Sequence, residues 1–359
     1  MGSGELDLAF HHLLLRVAGW APDEMLCTAR EWLAQGRVAE VAQAVVFVAV
    51  AGRIPIAPDD LGVLRAALPD DAADHDQLAD LDLGDETEPW WYAMAAACPE
   101  RHTDQLEELP YSLDLTGDAA AGHDLDSTDL AAVAAMTDTE LDGKVTALWR
   151  AWRCPAAPSP WPSPRRLYLV QAATEPAPLP MLTGHLQRVL LLAGETAPQV
   201  EAFTDPDYLG PYQRTALGRS ALLWTARPTP PIRVAELFDP VEEVGGPGFA
   251  VTRPRLDNRE YGDVLAYLEA ASPILTTTAL MDDVVDDRQH GVVPMNVRTD
   301  GQWIWTDAAS YYLRQYGLAP DPELLHHIRT SRYEVPLVDA VAVHRAMAAL
   351  QNGTTGEAG

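Results

Sequence analysis

Carboxylates set among tryptophans are the first chemistry legible in this chain. In the string ADLDLGDETEPWWY, Asp80, Asp82, Asp85 and Glu86 lead into Trp90 and Trp91. Acidic groups draw a cationic partner in from a distance, and large aromatic side chains anchor it after contact. The pattern therefore fits a docking surface for a basic protein. The plainer reading of the same residues is a solvated loop with short helices, kept soluble by its charge. A calcium loop is excluded, because the twelfth position counted from Asp80 is Trp91, and from Asp124 it is Ala135, where a bidentate Glu is required.

A second group comprises Arg298, Asp300, Trp303, Trp305, Asp307, Tyr311 and Tyr312. Strand alternation places Trp303 and Trp305 on one face and Arg298 on the other. This predicts an aromatic seam with a local Arg298–Asp300 or Arg298–Asp307 ion pair; the alternative is a pocket with an Arg clamp for an anion. Arg150, Arg153, Arg165 and Arg166 form a third group, suited to a phosphorylated ligand or, more economically, to pairing with the chain's own acidic segment. His326 and His327 are adjacent in a predicted helix with Glu323, so they point to different faces and do not chelate as an i, i+4 pair does. No G-x-S-x-G elbow, H-E-x-x-H pair, Walker A loop or G-x-G-x-x-G fingerprint occurs, and no catalytic residue is assigned.

The string MDDVVDDRQHG resembles the first aspartate-rich motif of polyprenyl synthases, DDxxD followed by basic residues and Gly. That resemblance implies a metal site in which Asp282, Asp283, Asp286 and Asp287, four apart on one helical face, hold Mg2+ against a diphosphate. No second DDxxD follows downstream, and a predicted hairpin comes directly after the string, which suits a solvated acidic helix end or turn. No cofactor is otherwise expected.

Residues 1–68 read as a helical bundle. Helical spacing of Leu6, Phe10, Leu13, Leu14 and Val17 is followed by starts at Pro22 and Pro58, and residues 38–50 are apolar nearly all round, as for a central helix. His11 and His12 lie on the first helix in a structural or surface role. Residues 69–154 read as an acidic, partly helical connector, with a helix over 130–153. The prolines of 155–164 read as a domain boundary. Residues 165–351 then predict an α+β domain: strand 166–172, helix 179–193, strand 199–203, short helix 211–217 and strand 220–226, in the order of βαβ units. Residues 232–238 and 248–253 flank a Gly-rich turn in hairpin fashion. A hairpin around Thr299-Asp300-Gly301 leads into a helix ended by Gly317, and residues 352–359 are expected to fray. The stretch 249–327, with TDGQWIWTD and SYYLRQYGLAP, resembles a module of uncharacterised actinobacterial proteins, a resemblance that implies no activity.

The 359 residues carry 53 Asp and Glu against 25 Lys and Arg, a net charge of −28. Residues 59–142 concentrate this, with 23 acidic residues against Arg65 and Arg101. Such a balance argues against binding nucleic acid or an anionic membrane surface. The start lacks a basic n-region, no apolar run approaches the ~20 residues of a spanning helix, and Cys27, Cys98 and Cys154 are an odd, scattered trio. A cytoplasmic location with reduced thiols is expected. The functional expectation is a non-catalytic interaction protein (inhibitor, immunity-type or adaptor) that meets a basic partner through its acidic, Trp-bearing surface. The alternative is a divalent-metal-dependent enzyme acting on an anionic substrate through the aspartate string.

Overall fold

The computed structural model describes residues 2–68, 73–85, 89, 91–98, 110–117, 125–138, 141, 143–156, 163–173, 178–228, 230–239 and 247–356. It has an α+β fold and divides into two compact units, Met1–Pro228 and Thr229–Gly359.

The N-terminal unit opens with helices α1 (Ser3–Arg16), α2 (Asp23–Ala34), α3 (Val38–Gly52) and α4 (Pro58–Ala67). Prolines precede or begin α2 and α4 as read from the sequence, since their fixed φ suits a first helical turn. Although α3 is almost wholly apolar, only one side of it is enclosed: Val41, Ala42, Val45, Val46 and Ala49 are buried while Phe47 is 68% exposed. Apolar composition alone therefore overstated how central α3 is.

Next come α5 (Ala73–Gln77), β1 (Tyr92–Ala95), β2 (Leu113–Asp114), α6 (Ser127–Met136) and β3 (Val145–Pro155). After them run β4 (Arg165–Ala172), α7 (Leu179–Leu192), β5 (Gln199–Phe203), α8 (Pro211–Gly218) and β6 (Ala221–Thr225). The strands form a mixed sheet in the order β2-β6-β3-β4-β5, with β1 beside the far end of β3. β4, α7 and β5 make the expected βαβ unit, with β4 and β5 parallel. The predicted helix over 130–153 is corrected. α6 stops at Met136, Gly143 turns with a φ of 70°, and β3 then runs through the middle of the sheet. Because β3 is buried on both faces, its residues do not alternate and gave no strand period.

That placement also corrects the domain reading. The described parts of 69–154 supply β1, β2 and β3 to the sheet and, in α6, part of the core packed on it. Arg153 of β3 stands opposite Arg165 of β4, so residues 155–164 connect two paired strands of one unit and are not a domain boundary; proline suits a turn as readily as a linker. The helices are not a separate bundle either. Tyr168, Val170, Val200 and Ala202 share one core with Leu182, Leu186 and Leu190 of α7. At the free edge of β5, buried His11 of α1 lies 2.8 Å from the Ala202 carbonyl, which covers an edge that would otherwise be open to pairing. α2 meets α7 at Gly184, where a Cβ would lie 2.6 Å from Ala34 Cβ, so only glycine lets the helices come this close.

The C-terminal unit contains β7 (Arg233–Val234), α9 (Asn258–Ala270), β8 (Ser272–Leu275), β9 (Leu280–Met281), β10 (Val293–Pro294), β11 (Val297–Thr299) and β12 (Trp303–Thr306). Helices α10 (Asp307–Tyr316), α11 (Pro322–Thr330) and α12 (Ala340–Gly356) follow. The sheet order is β7-β12-β11-β8. β11 and β12 form the predicted hairpin, and Gly317 at a φ of 68° ends α10 as predicted. Trp303 and Trp305 pack with Tyr267, Leu268, Leu324 and Ile328 of α9 and α11, whereas Ile304 packs with Ala346 of α12 on the opposite face. The proposed pairing of 232–238 with 248–253 reduces to one bridge, Asp239 to Gly248, because β7 pairs parallel with β12 instead. α12 extends to Gly356, into the stretch expected to fray, since lengthening an existing helix fixes only one residue per added hydrogen bond.

Candidate functional site

In the N-terminal unit, the chain after α5 closes in a short 3-10 turn, Leu78–Asp80, and then runs along the helices. The Ile56 amide donates to the Asp82 carbonyl (2.9 Å) and the Gly84 amide to the Ile56 carbonyl (3.1 Å), so 81–85 is held as a ridge. Asp80, Asp82 and Asp85 all point to solvent around Leu83, itself 53% exposed. Arg53, 3.6 Å from Asp82, is the cation that reaches this ridge among the described residues. Glu86 and Trp90 lie outside the described residues. Trp91 is half-buried, edge-on to Trp20 at a centroid distance of 4.8 Å, so it packs within its own unit rather than standing out as an anchor.

Other members of the acidic stretch serve the fold. Asp129 is fully buried, takes Arg150 at 2.8 Å and receives the Tyr168 hydroxyl at 2.8 Å. Burial, and then the neighbouring Asp129 charge, push the Tyr168 hydroxyl well above its usual range. Arg166 pairs with Asp126 and Glu195. The economical reading of Arg150 and Arg166 is thus the one the structure contains. Arg153 instead pairs with Asp23 and bonds the Tyr212 hydroxyl.

The string from Asp282 to Asp287 is not a helix. It occupies the loop between β9 and β10, which pair with each other. Its carboxylates therefore do not line one helical face, and three of them are already engaged. Asp282 faces His290 and accepts the Gly291 amide; these hold it below the usual carboxylate range. Burial would raise Asp283, but hydroxyls of Tyr316 and Tyr311 and the Val285 amide outweigh it and hold the carboxyl down. Asp286 is lowered by Arg288. Asp287 is exposed. Among the described residues no group of three or more His, Cys, Asp or Glu is placed to hold a metal, so these donors do not fit the Mg2+ site that the motif implies. An aspartate string in a strand–helix protein serves equally to shape a loop by capping its own amides.

Arg298 forms the Asp307 pair, at 2.6 Å, and donates to the Glu269 and Ala271 carbonyls, both at 2.9 Å. Asp300 turns instead to the helices. Its Oδ1 accepts the Gln302 and Trp303 amides (2.9 and 2.8 Å), and its Oδ2 meets the Tyr267 hydroxyl (2.6 Å) and His327 Nε2 (2.8 Å). Burial, then the Asp300 hydrogen bond, push the Tyr267 hydroxyl upward. Sequence reading missed the Tyr267–Asp300–His327 set. The T-D-G turn signalled a buried-side Asp only weakly, and nothing local links position 300 to 267 or 327.

No protein-family model, curated protein or solved structure matches this chain.

Proposed function

We propose that this protein is a non-catalytic interaction protein that receives a basic protein partner on the ridge of Asp80, Asp82 and Asp85. The observation behind this reading is a set of exposed carboxylates around an exposed leucine, on a main chain that Ile56 holds at Asp82 and Gly84. Charge carried on a held backbone accelerates encounter without ordering the main chain at the moment of contact, and Leu83 offers apolar area once the partner has arrived. Trp91 is no longer needed as the anchor.

The test compares wild type with Asp80→Asn/Asp82→Asn/Asp85→Asn, each immobilised and exposed to host extract. The partner retained by wild type is then measured in association experiments between 0.01 and 0.15 M salt, where the Debye length falls from ~30 to ~8 Å. Wild type should associate fast at low salt and slow markedly as salt rises; the variant should be slow throughout. Equal rates and equal salt response would show that the acids serve solubility alone. The metal-dependent alternative draws no comparable support from the aspartate loop, and millimolar Mg2+ should leave the melting temperature unchanged in calorimetry. A rise would restore it, since a ligand bound to the native state stabilises by mass action.

A further inference from the structure

Beside the hairpin of the C-terminal unit, β7, β12 and α11 enclose an open cleft of about 680 Å3, within the range of small-molecule sites. Arg233, Gln302, Trp303, Glu323, His326 and His327 are among the residues that line it. Two features distinguish this cleft from an incidental groove.

The first is the support of His327. A carboxylate that accepts two amides, a phenol and an imidazole is saturated with donors, and Asp300 is fully buried. A ring held this way has one orientation and one proton position: Nε2–H donates to Asp300, leaving Nδ1 as the open nitrogen, with no partner among the described residues. Such support from a buried side chain fixes a group that faces a ligand more firmly than surface packing does.

The second is a surplus of donors. The Arg233 guanidinium lies over Trp303, 5.4 Å from the ring centroid, and directs Nη1 to Glu323 at 2.7 Å. That ion pair is largely exposed on both sides, at 60% and 73%, so it exchanges readily with another anion. Arginine has five N–H donors in a planar fork, and the rest of this fork is unused among the described residues. The Gln302 side-chain amide stands in the same cleft. Glu323 is the carboxylate that lines the cleft, and it occupies only one N–H of the Arg233 fork, so donors remain for an incoming anion.

We propose that this cleft is a binding site for a small molecule bearing an oxyanion, carboxylate or phosphate, gripped by Arg233 and hydrogen-bonded by His327. Arg233 matches the planar or tetrahedral oxygens through paired N–H bonds, Trp303 holds the guanidinium flat, and Nδ1 of His327 takes a hydroxyl or protonated oxygen of the same ligand. The site is independent of the acidic ridge, so either reading can fail without the other.

The full chain, labelled with 15N, is titrated with inorganic phosphate and separately with citrate, chloride being adjusted to hold ionic strength constant. The imidazole resonances of His327, identified by their loss in His327→Gln, are followed. Saturable shifts are expected with at least one probe, and which probe saturates assigns the oxyanion. Arg233→Gln should weaken that binding by about tenfold or more, while Arg288→Gln, at an exposed site on the β9–β10 loop, leaves it unchanged. Arg233 is exposed, so its variant should melt as wild type does; His327→Gln retains an amide that can still donate to Asp300, which protects the fold. Shifts that fail to saturate with both probes, or that survive Arg233→Gln undiminished, overturn the proposal.

Discussion

At the scale of single residues, burial decides what a polar or aromatic group is for. His11 is enclosed between α1 and the edge of β5, and burial lowers its pKa to about 3. Since a carbonyl can only accept, the neutral ring donates Nε2–H to Ala202. The unfolded chain gains this proton near pH 6.5 and the native one only near 3, so stability present above pH 6.5 is lost as pH falls across that window. Urea unfolding should show a steeper loss from pH 6.5 to 3 in wild type than in His11→Gln, whose amide can keep the hydrogen bond without titrating. Parallel losses would place His11 in water. Trp305 makes the apolar version of the same point. It is 2% exposed, stacks on Tyr267 at 6.1 Å and donates its indole N–H to the Leu268 carbonyl at 3.2 Å. Trp305→Ala should cost ~3–5 kcal/mol in denaturant unfolding, the range for deleting a buried aromatic. A loss within the scatter of surface substitutions would mean that the ring is not in the core.

Between elements, close approach matters more than propensity. α2 and α7 pack where Gly184 faces Ala34, and outside its own stretch of α7 Ala34 Cβ alone lies within 4 Å of the position a Cβ would take. Gly184→Ala should therefore destabilise despite alanine's better helix propensity, and Ala34→Gly in the same chain should recover part of the loss. A double-mutant cycle in thermal unfolding measures the coupling; simple additivity would show that the helices yield there. Neighbouring strands show the same dependence on partners. β3 has a sequence that neither alternates nor carries turn signals, yet it is the strand that joins β4 to β6.

For the whole molecule, the consequence is where the chain can be cut. The units meet the chain at 228/229, so 1–228 and 229–359 should each unfold cooperatively when expressed alone. The span 165–351, which local signals mark as a domain, begins after β3 and so lacks the strand between β4 and β6. It should be aggregated or molten by circular dichroism and dye binding. Native-like cooperative unfolding of 165–351 would contradict the sheet order.

What was legible in the amino-acid sequence is what neighbours along the chain decide. Pro22 and Pro58 start helices, Gly317 ends one, the β4–α7–β5 succession shows its change of period, and the alternation at 303–305 already sends both tryptophans to one face. The pairing of Arg298 with Asp307 was among the options that spacing allowed. Tertiary structure alone decided the rest. A strand buried on both faces has no period to read, prolines mark reversals and linkers alike, and carboxylates four apart share a face only if the backbone is helical, which 282–287 is not. The contacts of Asp300 with Tyr267 and His327 join α9, the hairpin turn and α11. Such groups come together because packing a core brings distant elements into register, and no interaction within a few residues of position 300 encodes which ones they will be.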